Sequence, residues 1–306
     1  MTPRSKTDMK RALLPAALIL AGSMSPSLAA ERGPKLAPSE IVAAAGAQAW
    51  RDIPVEDLLV MTIAGGRTIV IQLNPIFSRT HIGNMRTLAL AHWWDGTSIY
   101  RVQDNYVAQW GDRTEKKPLP DAVIQKTAED YTIPARGHKI VRMPSRDAYA
   151  KVTGFLDGWP VAGDGKALWL THCYGMVGVG RNLSPDAGTG AELYAVIGHA
   201  PRHLDRNIVV AGRVLDGMDA LSSLTRGTEG LGMYSASQAP TPILSVRLAS
   251  ELPAARQPHF EMMDTSGKDF AAYAKARANR EDDFFNIPAG GADICNVSVP
   301  IRRKVE

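Results

Sequence analysis

The chain of 306 residues reads as a mainly β protein, built as an antiparallel barrel or sandwich. Three observations carry that reading. Short runs rich in Val, Ile, Leu and Tyr recur from Leu58 to Leu248. Clusters of Gly, Pro, Asn and Asp separate them, as turns require. Only two helical segments lie among them, too few for strands that alternate with helices in a doubly wound sheet.

Residues 30–57 form a lead-in, where Pro34, Pro38 and Pro54 leave room for at most one helix, over residues 41–50. The runs Leu58–Ile63 and Arg67–Leu73 flank Gly65-Gly66 and predict a hairpin. Ser78 or Thr80 caps a helix running to about Trp93, since Ile82, Met85, Leu88 and Ala89 recur at helical spacing before Asp95-Gly96. Residues 98–112 read as extended chain. Residues 113–172 are charged and proline-bearing between Glu115 and Pro120 and turn apolar again only near Ala167, so an insertion around a few short elements is expected there. Strands follow at Met176–Val179, residues 193–197 and residues 208–214, then a turn or two of helix at 219–224 and a closing strand at 242–248. The principal domain is thus expected over 58–252. A C-terminal extension, 253–306, carries a helix at residues 268–280.

The first 29 residues have a different character. Arg4, Lys6, Lys10 and Arg11 precede the apolar run Ala12 to Ala21, and small residues surround Ala29-Ala30. That order predicts a cleavable secretory signal over 1–29, a mature protein in the periplasm, and no membrane anchor once the signal is cut, since spanning takes about 20 apolar residues. The same four cations, set against Asp8, account for three of the four units of net charge, leaving +1 on the mature chain. A nearly neutral chain with scattered basic residues excludes nucleic acid as the expected partner. The two cysteines, Cys173 and Cys295, permit one disulfide in an oxidising compartment. They lack the close pairing of a zinc site, and His172 adds a single ligand. His199 and His203 stand four apart, but Pro201 breaks the helix that such a metal pair needs.

The stretch from Ile99 through Tyr100-Arg101-Val102, then Tyr106-Val107-Ala108-Gln109-Trp110-Gly111-Asp112, closely resembles the signature segment of cyclophilins. Its order along the chain agrees: a preceding helix with Asn84 and Leu88, then Asp95-Gly96, and later Gly175-Met176-Val177-Gly178 and Asn207 to Val214. The resemblance spans about residues 58–250. It implies an eight-stranded antiparallel barrel capped by two helices, with a peptide groove on the outer wall, and a peptidyl-prolyl cis/trans isomerase that needs no cofactor. Its partners would be proline-containing segments of folding proteins.

Position by position, the resemblance places Arg101 as the catalytic arginine and Gln109 as the glutamine that holds the peptide backbone. It makes Tyr106, Val107, Tyr194 and Leu204 the proline pocket, and Val179, Gly180 and Arg181 the backbone contacts. The chain departs from the family at Glu192, which replaces a glutamine, and at His203 and Ile208, which stand for a tryptophan and a histidine. Trp110 also replaces the first glycine of a pair. A proline-peptide or partner-binding module on the same fold is therefore the second reading. The chemistry suits Arg101: the X-Pro barrier of roughly 18–20 kcal/mol arises from amide resonance. A guanidinium aimed at the prolyl nitrogen favours the twisted state, in which that nitrogen regains its lone pair.

Overall fold

The computed structural model describes residues 35–127 and 130–304; the expected signal segment lies outside them. In chain order its elements are α1 (Pro38–Ala44), β1 (Trp50–Ile53), β2 (Leu58–Ile63), β3 (Arg67–Leu73), α2 (Arg79–Leu90), β4 (Ser98–Val102) and β5 (Val107–Gly111). Next come β6 (Ile133–Pro134), β7 (Val141–Arg142), β8 (Val152–Leu156), β9 (Trp159–Gly163), β10 (Ala167–Leu170), β11 (Met176–Val179) and β12 (Leu193–Val196). The last are β13 (Val210–Asp216), α3 (Met218–Ser222), β14 (Thr241–Leu248), β15 (Phe260–Met263), α4 (Lys268–Ala278) and β16 (Ile301–Arg303).

Eight strands close a barrel in the order β11-β12-β5-β4-β14-β2-β3-β13, every neighbouring pair antiparallel. Alternation along β2 and β3 sends Leu59, Met61, Ile63, Ile69, Ile71 and Leu73 inward. Met85 and Leu88 of α2 and Leu221 of α3 join the same core. Each such side chain contributes about 1.5–3 kcal/mol on burial. The opposite face of the hairpin is covered too: Leu58 and Val70 pack against Ile53, Ala249 and Phe260. Burial on both faces is why these two runs are apolar almost without interruption.

Two further sheets lie outside the barrel. One has five strands in the order β6-β10-β9-β8-β7, and the other is β1-β15-β16, which joins the lead-in to the tail. In the five-stranded sheet, Trp159, Val161, Leu168 and Leu170 cluster with Phe77, Met176 and Val210 of the barrel portion. Its Phe155 packs instead with Phe270 and Tyr273 of α4 and with Met263, Ile294 and Val297. Cys173 and Cys295 are bonded across a separation of 122 residues, S–S 2.02 Å, fastening the tail beside β11.

Several expectations need correction. The lead-in helix stops at Ala44, and Trp50 begins a strand because residues 50–53 pair with Phe260–Met263, a partner invisible to local spacing. Residues 98–112 are two strands, not one run, because the chain turns at Asn105 with φ +50°. Residues 113–172, expected to hold only a few short elements, contain all five strands of a sheet. β13 starts at Val210, since Asn207 and Ile208 still donate to the Leu204 carbonyl in the preceding turn. The tail adds β15 and β16, for which the sequence offered only short, weakly patterned runs.

Candidate functional site

The β4–β5 hairpin sets Arg101 opposite Gln109. A bulge between Ile99 and Arg101 resets the alternation, so that Ile99 and Val102 both face the core while Arg101 lies on the outer wall. Its guanidinium is held from three sides: Nε donates to the Leu231 carbonyl at 2.7 Å, Nη1 to Gln109 Oε1 at 2.9 Å and Nη2 to Gln103 Oε1 at 2.7 Å. Partial burial pulls its pKa below the usual value. An arginine so held is still charged at any working pH.

Beside it opens a slot of about 110 Å³ lined by Arg101, Tyr106, Val107, Gln109, Gly180, Arg181, Tyr194, Leu204 and Ile208. Val107 and Tyr194 of that lining cluster with Val196, and Tyr106 and Ile208 pack on them. Arg181 flanks the slot, its Nε and Nη2 donating to the Asn207 carbonyl at 3.0 and 2.8 Å. The slot is apolar on the side of Val107, Leu204 and Ile208 and polar on the side of Arg101 and Gln109.

A second cleft of about 350 Å³ adjoins the slot, sharing Gln109, Gly180 and Arg181 and adding Tyr100, Asp112, Lys117 and Glu192. Gln109 Nε2 donates to Tyr100 Oη at 2.8 Å, and that hydroxyl donates to Glu192 Oε2 at 2.6 Å. Burial raises the pKa of both Tyr100 and Glu192, and the phenol stays protonated to serve as donor. Glu192 Oε1 also accepts the Asp112 amide at 2.7 Å. Gly111 is required beneath it, because at φ +148° a Cβ would stand 2.2 Å from both Glu192 carboxylate oxygens. Gln109 is thus held from both ends, its carbonyl by Arg101 and its amide by Tyr100.

Most of the residues singled out from the sequence converge here. Arg101, Tyr106, Val107, Gln109, Gly180, Arg181, Tyr194 and Leu204 line one slot. Three do not. The Val179 side chain turns into the barrel core with the inward phase of β11, which leaves its backbone as the group able to make the contact that the resemblance implied. Glu192 lines the adjoining cleft. His203 stacks on Tyr106, rings 6.5 Å apart and 7° from parallel, outside the slot lining. Trp110, in place of a glycine, is buried inside the barrel. Sequence reasoning overlooked Gln103, Tyr100 and Leu231, whose role depends on the hairpin bulge and on a distant loop. It weighed His172 only as a lone metal ligand and passed over Asp205; both sit behind Tyr194.

The fold and the site together define the class: a closed eight-stranded antiparallel barrel that carries an arginine and a glutamine beside a small, partly apolar slot on its outer wall. The comparisons name the family. Residues 58–248, more than half of the chain, match the family described as cyclophilin type peptidyl-prolyl cis-trans isomerase/CLD. The chain belongs to that family and is a cyclophilin-type peptidyl-prolyl isomerase. Among solved structures it is similar to cyclophilin AquaCyp293 from Hirschia baltica, at 22% identity over 84% of this chain and 94% of the other, TM-score 0.65. A cyclophilin type peptidyl-prolyl cis-trans isomerase from Cryptosporidium parvum, in the presence of the dipeptide Ala-Pro, is 11% identical over 62% of this chain and 98% of its own, TM-score 0.39. No match is found among curated proteins.

Proposed function

We propose that the slot takes the proline ring of a peptide and that Arg101 stabilises the twisted X-Pro amide, in a protein exported to assist the folding of other exported chains. One observation carries the site assignment: the guanidinium, fixed by Leu231, Gln109 and Gln103, borders the apolar slot built by Val107, Tyr194, Leu204 and Ile208. As the amide twists, the prolyl nitrogen becomes pyramidal and accepts a hydrogen bond that the planar ground state cannot. A donor already held in place adds little reorganisation cost at that moment. Gln109 lies between the slot and the adjoining cleft and serves the peptide backbone on one side of the proline. The same geometry favours turnover over mere binding, since a binding module has no use for a fixed charge at the prolyl nitrogen. The disulfide and the signal-like order of residues 1–29 support an oxidising compartment outside the inner membrane.

The test is exchange-detected isomerisation of a proline peptide at saturation. Arg101→Ala is expected to lower the rate at least about tenfold, about 1.4 kcal/mol of transition-state stabilisation, with peptide affinity largely kept. Tyr106→Ala is expected to weaken binding more than it slows turnover. An Arg101→Ala protein that turns over as fast as the parent would hand the site to the binding-module reading. Export is checked by the mass of the protein recovered from its own cell envelope: cleavage near Ala30 supports it, and an intact Met1 counts against it.

A further inference from the structure

Tyr194 stands where the slot needs only an apolar ring, yet it carries a hydroxyl that points away from the slot into the protein. Burial raises its pKa, so the phenol stays protonated. That hydroxyl lies 2.9 Å from His172 Nε2. His172 is 1% exposed and packs its ring near-parallel to the tyrosine, 11° between planes. Its Nδ1 lies 3.0 Å from Asp205 Oδ1, and its backbone amide donates to the same oxygen at 2.9 Å. Asp205 Oδ2 accepts Arg202 Nε at 2.6 Å. The carboxylate is acceptor only and is met by donors at both oxygens, so the network assigns the proton on His172 to Nδ1. The tautomer with its proton on Nδ1 leaves Nε2 as the acceptor for the Tyr194 hydroxyl.

The ring's position is fixed from below as well. A Cβ on Gly178 would stand 2.2 Å from Tyr194 Cζ and 2.3 Å from its hydroxyl, so the phenol lies directly over that glycine. Without a partner for the hydroxyl, a buried phenol in this place leaves one polar group unsatisfied and one torsion free to move. Arg202 carries the chain of contacts further, its Nη1 and Nη2 donating to the two oxygens of Asp147 at 3.0 and 3.2 Å.

We infer that His172, oriented by Asp205, is a positioning residue of the isomerase site, fixing the Tyr194 ring as the floor of the proline slot. The inference rests on the slot being the proline site. It assigns His172 no contact with substrate: its effect passes through the Tyr194 hydroxyl.

The experiment is a double-substitution cycle on the full mature chain, reading peptide Kd by titration and the exchange rate at saturation separately. His172→Leu is expected to raise Kd about fivefold while changing the saturated rate less than about twofold. In a Tyr194→Phe background, His172→Leu is expected to have no further effect on Kd, since the hydroxyl it acts through is gone. His172→Gln, whose amide reaches the Nε2 position, should restore near-parental Kd, whereas His172→Asn, too short to do so, should not. Additive effects of His172→Leu and Tyr194→Phe on Kd, or a Kd untouched by His172→Leu, would overturn the inference. If His172→Leu does not fold, the Gln and Asn pair decides alone: equal Kd in both means that the histidine serves the fold only. The parent and Arg101→Ala are measured in the same series. A parent that binds no proline peptide defeats the site assignment, a failure visible before any His172 variant is read.

Discussion

The barrel and the layer outside it are held together by different physics. The barrel closes on a continuous ladder of antiparallel strands around an apolar interior, and much of its pairing joins neighbours in sequence, such as β2 with β3 and β4 with β5. The outer layer gathers residues 50–53, 133–170 and 260–303, so its loop-closure cost is paid across most of the chain. It is fastened to the barrel by a disulfide, by apolar clusters and by buried charges. Arg213 of β13 is the clearest case: it donates to Gln72 Oε1 at 2.9 Å and to the Gly158 carbonyl at 2.7 Å, with the Trp159 ring 4.3 Å away. Burial alone pulls its pKa down to about 9, with no carboxylate among the described residues acting against that shift. The lesson is that the slot sits on the locally coded part of the molecule, while the distant part is held by a few strong fastenings.

Removing the covalent fastening should give the largest effect. Cys295→Ser opens a loop of 122 residues, which the chain-entropy account equates with about 4–5 kcal/mol of stability. Denaturant unfolding of the oxidised parent and the variant measures it. If the outer layer is secondary to the barrel, isomerase activity outlasts the early part of the transition; loss of activity in step with the first unfolding signal would make the two regions one cooperative unit.

Arg213→Met comes next, at about 2–4 kcal/mol, because the Gly158 carbonyl and Gln72 lose a charged donor in a buried place. An unchanged unfolding midpoint would show that the guanidinium is dispensable between the layers. At the slot the balance reverses. Arg101→Ala is expected to leave stability within about 1 kcal/mol, since the residue is only partly buried, while its rate falls tenfold or more.

The smallest effect is a pH dependence at Glu192. Burial raises this carboxyl above its ordinary value, so the folded chain binds the proton more tightly than the unfolded chain. Its contribution to stability is complete below the ordinary carboxylate range and is lost as pH rises through the raised value. The stability of the parent relative to Glu192→Gln should therefore fall as pH rises from the ordinary carboxylate range. A difference that stays flat over that rise would show that burial does not control this carboxyl.

Much of the site was legible because its chemistry is concentrated in one hairpin. Arg101, Tyr106, Val107 and Gln109 fall within nine residues, and pairing β4 with β5 brings them to one wall whatever else the chain does. The alternation of Leu59, Met61 and Ile63 likewise announces a strand with an inner face. The uninterrupted apolar character of β2 and β3 even carried a signal of the second layer, because a strand that is apolar on both faces must be covered on both.

What the sequence by itself determined is therefore local: the strands and turns of the barrel, the helix that begins near Ser78, the arginine and glutamine of the slot, and the capacity for one disulfide. Tertiary structure alone decided the rest. The bulge that turns Arg101 outward, the pairing of Trp50–Ile53 with Phe260–Met263, the five-stranded sheet and the His172 to Asp205 support behind Tyr194 all join residues separated by between two and more than two hundred positions. No spacing rule reaches across the longer of these separations or places a bulge within a strand, because these contacts are selected by the free energy of closing loops and burying surface together, and that becomes defined only when the whole chain has folded.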